Sequence, residues 1–247
     1  MEKMIDFEAY KALHERIFFE NGLNVSRETG ETESFYALTR RMLEVNESMN
    51  LTAVRDVASV IYLHYVDSLK ILDDLPENAT LCDIGCGAGF PSLPLAITRK
   101  DLHILAVDST DKKVRYVAET AELLGVSDRL SALSARAEEL GQGELRETFP
   151  FVTARAVSNL RMLSELCLPL VSIGGAFLSM KGANWRAELK DAENAIRALG
   201  GTVEETREFE IVNGDASEKR CLLVIRKVAR TAPKYPRPWG KIKNKPL

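Results

Sequence analysis

The order of apolar and polar positions changes once along the chain, near residue 79. Before that point, apolar residues recur with a helical period. In the clearest segment five of them stand three or four residues apart, namely Phe35, Leu38, Met42, Val45 and Met49. This spacing places them on one face and predicts an amphipathic helix. We expect a turn at 50–53 and a further helix after Asp56, which would be its N-cap.

From residue 79 onward, short apolar runs alternate with helix-period segments. Strands are predicted at 80–84, 103–107, 130–134, 151–154 and 176–180. Helices are predicted to begin at Pro91, Asp111, Asn159 and Trp185. Such alternation is typical of βαβ units, so we expect an α/β fold with a mostly parallel, doubly wound sheet.

The last two predicted strands, 202–211 and 221–225, have no helical pattern between them. A short polar stretch at 213–219 joins them, so they should pair antiparallel. We therefore expect an antiparallel strand to close the sheet at its C-terminal edge. The pattern divides the chain into an N-terminal helical appendage (1–75), an α/β domain (76–228) and a C-terminal tail (229–247) packed on or near that domain.

Composition narrows the class of protein. The chain has 247 residues, of which 45% are apolar and 28% charged. These values are ordinary for a globular protein and exclude a disordered, collagen-like or coiled-coil chain. No run of about 18 apolar residues is present, so no membrane span is expected. Four cysteines without CxxC spacing predict neither a disulfide scaffold nor a metal site, and we expect reduced thiols in the cytoplasm.

The charge is distributed unevenly. Residues 226–247 carry eight basic and no acidic side chains, whereas the other 225 residues carry 25 basic and 36 acidic ones, a net charge of -11. A basic end on an acidic body favours local contact with a polyanion. A solvated tail that only maintains solubility is the alternative.

A glycine-rich loop follows the first predicted strand, with the sequence Gly85-Cys86-Gly87-Ala88-Gly89-Phe90-Pro91. In an open α/β sheet, ligands bind beyond the carboxyl ends of the strands. The spacing is GxGxG, and Phe90 occupies the third glycine position of the dinucleotide fingerprint GxGxxG. This departure disfavours an NAD-dependent oxidoreductase. An ordinary strand-to-helix turn is the simpler alternative.

Asp108 ends the next predicted strand, 23 residues beyond Gly85. A carboxylate at that point can accept both ribose hydroxyls of an adenosine. Together with the GxGxG loop, which includes Gly87 and Gly89, it favours S-adenosylmethionine, a cationic ligand without phosphate groups.

Seven short motifs then occur in a specific order. They are Asn50-Leu51-Thr52-Ala53, His64-Tyr65-Val66-Asp67-Ser68-Leu69, Asp83 to Pro91, Ala135-Arg136-Ala137-Glu138, Ala154-Arg155-Ala156-Val157, Lys181-Gly182 and Lys234-Tyr235-Pro236-Arg237. In this order they resemble the small-subunit (16S) rRNA guanine-N7 methyltransferase G family, formerly called glucose-inhibited division protein B. The resemblance covers about residues 35 to 247.

The resemblance implies a Rossmann-like S-adenosylmethionine-dependent methyltransferase fold and methyl transfer to N7 of guanine 527 in the 530 loop of 16S rRNA. The cofactor positions that it implies are Gly85, Phe90, Asp108, Ser109, Ala137, Glu138 and Arg155. Two residues depart from the family pattern. Ser92 stands where many members have glycine, and Trp239 where a basic residue is common. Neither is expected to touch the cofactor.

The implied reaction needs little from the protein beyond alignment. N7 of guanine has a free lone pair and no proton, so no general base, and hence no catalytic residue, is expected. His64 and Asp67 lie three residues apart on one helical face. Such a pair is catalytic in some enzymes, but a structural role is the more common one.

Basic residues are the candidates for RNA contact. They are Arg136, Arg155, Lys181, Lys234, Arg237 and Lys241. Cations bind phosphate, and Tyr235 and Trp239 in the tail can stack on unpaired bases. The alternative, that they anchor the tail to the sheet, is compatible with stacking. Arg155 would hold the cofactor or a phosphate, with a surface salt bridge as its alternative. The expected partner is 16S rRNA or the small ribosomal subunit, and a monomer is expected.

Two other functions stay open at this stage. One is methylation of a protein or a small molecule, which the basic tail disfavours. The other is a non-enzymatic RNA-binding or ribosome-assembly factor on a methyltransferase fold, which the complete glycine loop with Asp108 disfavours.

Overall fold

The computed structural model describes residues 5–24, 30–155 and 158–247. Its α-helices are α1 (Phe7–Glu20), α2 (Glu31–Met49), α3 (Val57–Val60), α4 (Asp67–Leu69), α5 (Ser92–Thr98), α6 (Asp111–Leu123), α7 (Ala137–Leu140), α8 (Leu160–Cys167), α9 (Trp185–Ala198) and α10 (Trp239–Asn244). A π-helical segment, Ile61–Val66, joins α3 to α4. The strands are β1 (Thr80–Ile84), β2 (His103–Asp108), β3 (Leu130–Ser134), β4 (Phe149–Arg155), β5 (Val171–Gly182), β6 (Gly201–Asn213) and β7 (Ala216–Lys227).

Within the described residues, these strands form one sheet in the order β3-β2-β1-β4-β5-β7-β6. The pairs among β1 to β5 are parallel, whereas β7 pairs antiparallel with both β5 and β6. The prediction of a mostly parallel doubly wound sheet with a C-terminal antiparallel strand is confirmed. The prediction that this antiparallel strand lies at the edge of the sheet was wrong, because β7 lies between β5 and β6. The β6–β7 hairpin runs back along β5, which leaves β6 on the outside.

The β6–β7 hairpin is longer than its apolar pattern indicates. The predicted connection 213–219 is largely strand, and only Gly214 and Asp215 lie between the two strands. Residues of β7 from Ala216 to Lys219 are exposed. Strand segments without a buried side need no alternation of apolar residues, which is why this stretch resembled a loop.

Local capping fixes where two of the predicted helices begin. Asp56 accepts a hydrogen bond from Ser59 N at 2.8 Å, and Asn159 accepts one from Met162 N at 3.1 Å. Both act as N-cap residues, which satisfy backbone N–H groups that the first helical turn leaves unpaired. These two predicted starts agree with the structure.

Two apolar cores cover the two faces of the sheet. One combines the N-terminal helices with α5, α6 and the sheet, and includes Tyr10, Phe35, Tyr65 and Leu93. The other packs α8 and α9 against the opposite face and includes Leu163, Phe177 and Ile242. The N-terminal helices therefore share one core with the sheet. The division of the chain at residues 75 and 228 stays a prediction.

The C-terminal tail is held on the second face by main-chain contacts. Arg146 donates to Tyr235 O at 2.7 Å and to Thr231 O at 2.6 Å. Ile242 is fully buried, and Tyr235 and Trp239 pack against the same core. The two aromatic residues thus anchor the tail.

No helix among the described residues has the length and apolar character needed to cross a membrane.

Lys227 ties the end of β7 to two helices. Its side chain is fully buried, and Nζ donates to Leu168 O at 2.8 Å and to Leu199 O at 3.1 Å, at the ends of α8 and α9. Glu147 Oε1 lies 3.3 Å away. This lysine belongs to the basic run 226–247, yet it is unavailable to RNA because it caps helix ends inside the protein.

We predict that Lys227→Met destabilises the fold by about 3 kcal/mol, because it removes the cation beside the Glu147 carboxylate and takes one donor from each of two helix-end carbonyls. Urea unfolding measures the loss. Lys219→Met, at an exposed position on the same strand, is the matched control and should change the free energy of unfolding by less than about 0.5 kcal/mol. Equal stability of the two variants would contradict this role.

Candidate active site

Backbone hydrogen bonds fix the glycine loop as it turns from β1 toward α5. Cys86 N donates to Val107 O at 3.0 Å, and Phe90 N donates to Cys86 O at 3.2 Å. Gly87 has a φ of 55°, and a Cβ at this position would lie no closer than 3.8 Å to its nearest neighbour, Gly85 O. Its environment leaves space for a ligand at the loop surface. At Gly89 a Cβ would overlap the Leu93 side chain, so that glycine is required for helix packing.

Asp108 links the loop to the end of β2. Its Oδ2 accepts a hydrogen bond from Gly87 N at 3.1 Å, and its Oδ1 accepts one from Thr110 N at 2.9 Å. The side chain also lines the cavity beside the loop. The neighbouring parallel strands β1 and β2 end together, which is why a residue 21 positions from Gly87 meets it.

A cavity of about 470 Å³ lies beyond the carboxyl ends of β1, β2 and β4. Most of the predicted cofactor residues line it: Gly85, Gly87, Phe90, Asp108, Ser109, Ala137, Glu138 and Arg155. It adjoins the point between β1 and β4 where the strand order reverses, the usual ligand position in an open α/β sheet.

Asp83 lies at the end of β1 with its carboxylate fully buried. Ser92 Oγ donates to Asp83 Oδ2 at 2.6 Å, whereas Oδ1 has no hydrogen-bond partner in the described part of the chain. Burial raises the pKa of Asp83 to about 6, and the Ser92 hydroxyl opposes that rise. An acceptor oxygen without a partner, next to the loop, is suited to a cationic ligand group.

Arg155 connects the end of β4 to the π-helical segment. Nη1 donates to Leu63 O at 2.9 Å and to Asp67 Oδ2 at 3.0 Å, and Nη2 lies 3.1 Å from His64 Nδ1. The guanidinium also lies over the Phe90 ring, 5.5 Å from its centroid. The motif residues 64–69 thus meet Arg155 across the mouth of the cavity. A π-helical segment frequently marks such a site.

The contacts of His64 exclude it as a proton acceptor. A guanidinium can only donate, so Nδ1 accepts from Arg155 and the ring proton is on Nε2, 3.0 Å from Thr52 Oγ1. Burial, together with the Arg155 charge, lowers the pKa of His64 to about 3. The ring stacks on Phe90 with centroids 4.6 Å apart. His64 is therefore neutral and structural near pH 7.

Comparison with known proteins gives a consistent family. The profile described as rRNA small subunit methyltransferase G matches residues 31–216. The chain is 40% identical over 222 residues to the Ribosomal RNA small subunit methyltransferase G of Lactobacillus delbrueckii subsp. bulgaricus, covering 88% of this chain and 92% of the relative. It is 41% identical over 230 residues to the protein of that name from Staphylococcus epidermidis, covering 92% and 94%.

The chain belongs to the rRNA small subunit methyltransferase G family.

Solved structures give the same fold at low sequence identity. An O-methyltransferase from Bacillus cereus, crystallised with SAH, superposes with a TM-score of 0.56 at 14% identity and covers 90% of this chain and 100% of that one. A SAM-dependent methyltransferase from Methanosarcina mazei gives a TM-score of 0.51 at 15% identity, covering 65% and 98%. The predicted Rossmann-like methyltransferase fold is confirmed.

In this family member, three predicted site residues have other roles in the structure. Gly89 does not line the cavity and accommodates Leu93. Lys181 is buried and donates to Glu188 Oε2 at 2.8 Å and to Ser158 O at 2.9 Å, so it is not a surface cation for phosphate. Arg237 forms an ion pair at 2.6 Å with Glu165, which is fully buried.

The remaining candidates for RNA contact differ in accessibility. Arg136 is half exposed and lines the cavity, with Glu138 at 3.8 Å. Lys234 and Lys241 are exposed on the tail. Arg155 is only 13% exposed and is held by Asp67. The motif residues Ala156 and Val157 lie outside the described residues.

Several residues outside the predicted cofactor set also line the cavity. Thr52 and His64 come from the N-terminal segment, and Lys113 from α6. Trp239, which was expected to be remote from the cofactor, lines the cavity as well. Tail packing brings it there, and no local pattern indicates such packing. Ser92, the other departure from the family pattern, is bonded to Asp83.

We predict that two buried histidines make the fold sensitive to acid. His14 lies among aromatic rings without a hydrogen-bond partner in the described residues, and burial lowers its pKa to about 3, as for His64. An unfolded histidine takes up a proton near pH 6.5 and these two do not, so stability is full above pH 6.5 and falls as the pH drops. Each of the two histidines should lower the free energy of unfolding by about 1.4 kcal/mol between pH 7.5 and 5.5.

Urea unfolding at the two pH values measures this loss. His64→Gln, whose amide oxygen can still accept from Arg155, should remove about half of the difference, and His103→Gln at an exposed position should leave it unchanged. A pH dependence that is identical in the His64→Gln variant would contradict a neutral, buried His64.

Proposed function

We propose that this chain transfers a methyl group from S-adenosylmethionine to N7 of a guanine in 16S rRNA, with guanine 527 in the 530 loop as the target. One observation carries the proposal. The cavity beside the GxGxG loop is lined by Asp108, Glu138 and Arg155 together, in a chain of this family. The cellular setting proposed with it is the cytoplasm, with a monomeric enzyme acting on rRNA or on the small subunit.

The acceptor groups in and beside the cavity suit S-adenosylmethionine. Asp108 would accept from the ribose hydroxyls, and the unpaired Oδ1 of Asp83 would accept from the ammonium group of the methionine part. The cofactor carries a methyl group on a sulfonium sulfur and supplies it to the acceptor. Phe90, which stacks on His64 and lies at a tilted angle to Tyr65, forms an apolar wall.

The protein contributes alignment and exclusion of water rather than proton transfer. N7 of guanine carries no proton, so its lone pair can attack directly once it is in line with the carbon–sulfur bond. His64 has no free lone pair because Arg155 and Thr52 occupy both ring nitrogens. Nothing in this arrangement has to act as a general base.

The mouth of the cavity offers cations and one aromatic side chain to RNA. Lys113, Arg136 and Trp239 line it, and Lys241, Lys243 and Lys245 are exposed on and just after α10. Phosphate contacts from lysine and arginine position RNA, and indole rings stack on unpaired bases. The tail therefore brings both kinds of contact to the edge of the cofactor cavity.

For the cofactor, Asp108→Ala should weaken binding of S-adenosylmethionine by about 1 to 3 kcal/mol, because a ribose acceptor is lost. Titration calorimetry measures the dissociation constant. Asp128→Ala, an exposed position near the opposite edge of the sheet, should bind like the wild type. Equal affinity of both folded variants would mean that the cofactor lies elsewhere.

For RNA, replacing Lys241, Lys243 and Lys245 by glutamine should flatten the salt dependence of binding. Each lost phosphate contact reduces the slope of log K against log salt by roughly 0.7 to 0.9. Fluorescence anisotropy with a 530-loop RNA at several salt concentrations measures the slope.

The matched control replaces three exposed lysines on other surfaces, Lys100, Lys190 and Lys219. It should retain the wild-type slope, and cofactor affinity should change little in either triple variant. If the tail variant also kept the wild-type slope, the tail would serve solubility alone, and the RNA contacts would fall to Lys113 and Arg136.

A further inference from the structure

A second cavity, of about 580 Å³, adjoins the cofactor cavity. His64 and Arg155 line both, so their side chains form a shared wall. The second cavity lies at the carboxyl ends of β4 and β5, where Arg155 is the last residue of β4 and Lys181 the last but one of β5. The two cavities are therefore adjacent.

The second cavity combines apolar walls with fixed charges. Leu63 and Met180 supply apolar surface, and the charged side chains come from five elements or turns: Asp67, Arg155, Lys181, Glu188 and Arg220. Apolar walls with a few convergent polar groups are typical of a ligand-binding site.

The two carboxylates of this cavity, Asp67 and Glu188, differ in whether they have an oxygen free to accept a further hydrogen bond. Asp67 has cations on both oxygens, Arg155 at 3.0 Å from Oδ2 and Arg220 at 3.5 Å from Oδ1. Glu188 uses only Oε2, which accepts from Lys181 Nζ and, at 2.9 Å, from Leu160 N. Oε1 of Glu188 has no hydrogen bond to any described residue, and the side chain is 26% exposed.

Lys181 has unused capacity as well. Its Nζ donates to Ser158 O and Glu188 Oε2, and an ammonium group has three protons. Within the ranges that the structure describes, the third has no acceptor. A free acceptor oxygen therefore lies beside a free donor, and both are held in place by buried contacts.

This pair matches one edge of guanine. The Watson–Crick edge of guanine presents two donors, N1–H and the N2 amino group, beside the acceptor O6. Adenine presents a donor and an acceptor in the reverse order. A carboxylate beside an ammonium group therefore accepts guanine and leaves unpaired groups against adenine.

We propose that the second cavity binds the target guanine, with Glu188 Oε1 accepting from N1–H and the N2 amino group and Lys181 Nζ donating to O6. These contacts leave N7, on the other edge of the base, free to point past His64 and Arg155 toward the cofactor cavity. The proposal rests on the proposed function, and it gives Lys181 a role toward a base in place of a phosphate.

The test uses 530-loop RNA in which the target guanine is replaced by inosine, which lacks only the N2 amino group. The wild type should methylate the guanine RNA with a kcat/KM roughly tenfold to a hundredfold higher than that for the inosine RNA. A difference of this size is the effect of one hydrogen bond to a charged group. In Glu188→Gln, the donors Lys181 Nζ and Leu160 N hold the amide oxygen inward. The NH2 group then faces the donors of guanine, so the ratio of guanine to inosine should fall close to one.

Glu188→Ala, which offers no group to the base, should lower the ratio in the same way and covers the case in which one variant folds poorly. Glu193→Gln is the matched control, at an exposed position on the same helix, and should keep the wild-type ratio. If a substitution at residue 188 lowered activity on both RNAs equally, Glu188 would have only a structural role.

Two outcomes would overturn the assignment of the base. One is equal methylation of both RNAs by the wild type, and the other is retention of the wild-type ratio by both folded variants at residue 188. Absence of N7 methylation by the cofactor-bound wild type on both the guanine RNA and unmethylated small ribosomal subunits would overturn the proposed function itself and this assignment with it.

Discussion

The site depends on one partly desolvated ion pair, that between Arg155 and Asp67. The two side chains are 13% and 7% exposed, and their closest atoms are 3.0 Å apart. Such a pair is stable only when its remaining donors and acceptors are satisfied. Leu63 O and His64 Nδ1 provide this for Arg155. The contact joins the end of β4 to the N-terminal helices and fixes the wall between the two cavities.

Formal charge along the sequence and charge available at the surface differ in this protein. The basic run 226–247 contains Arg226 paired with Glu204, Lys227 buried against Glu147 and Arg237 paired with Glu165. These cations attach the tail and the hairpin to the domain. The exposed cations concentrate on and near α10, beside the cavity mouth to which Trp239 also contributes. One basic segment thus has a structural part and a part that is free for a polyanion.

The acidic groups around the cofactor cavity also combine structural contacts with capacity to bind a ligand. Asp83 is buried, and its pKa is raised to about 6 by that burial, yet the Ser92 hydroxyl donates to one oxygen and opposes the rise. Asp108 holds Gly87 and Thr110 through backbone N–H groups. Each carboxylate therefore has a role in shaping the loop, and in the proposed function Asp83 would meet the ammonium group of the ligand and Asp108 its ribose hydroxyls. Ser92 departs from the family pattern and is nevertheless part of this arrangement.

The sequence by itself determined the parallel α/β sheet, the glycine loop and the position of Asp108, because strand and helix periods, cap residues and the ends of adjacent parallel strands are local features. The seven motifs in their order also indicated the family. Only the tertiary structure decided that β7 lies inside the sheet, that Lys181 and Arg237 are paired and that Trp239 reaches the cavity. Most of these contacts join residues that are distant in sequence: Arg237 bonds Glu165 across 72 residues and Arg155 bonds Asp67 across 88. A basic residue has the same appearance in a sequence whether or not a carboxylate lies opposite it, and only packing brings the two together.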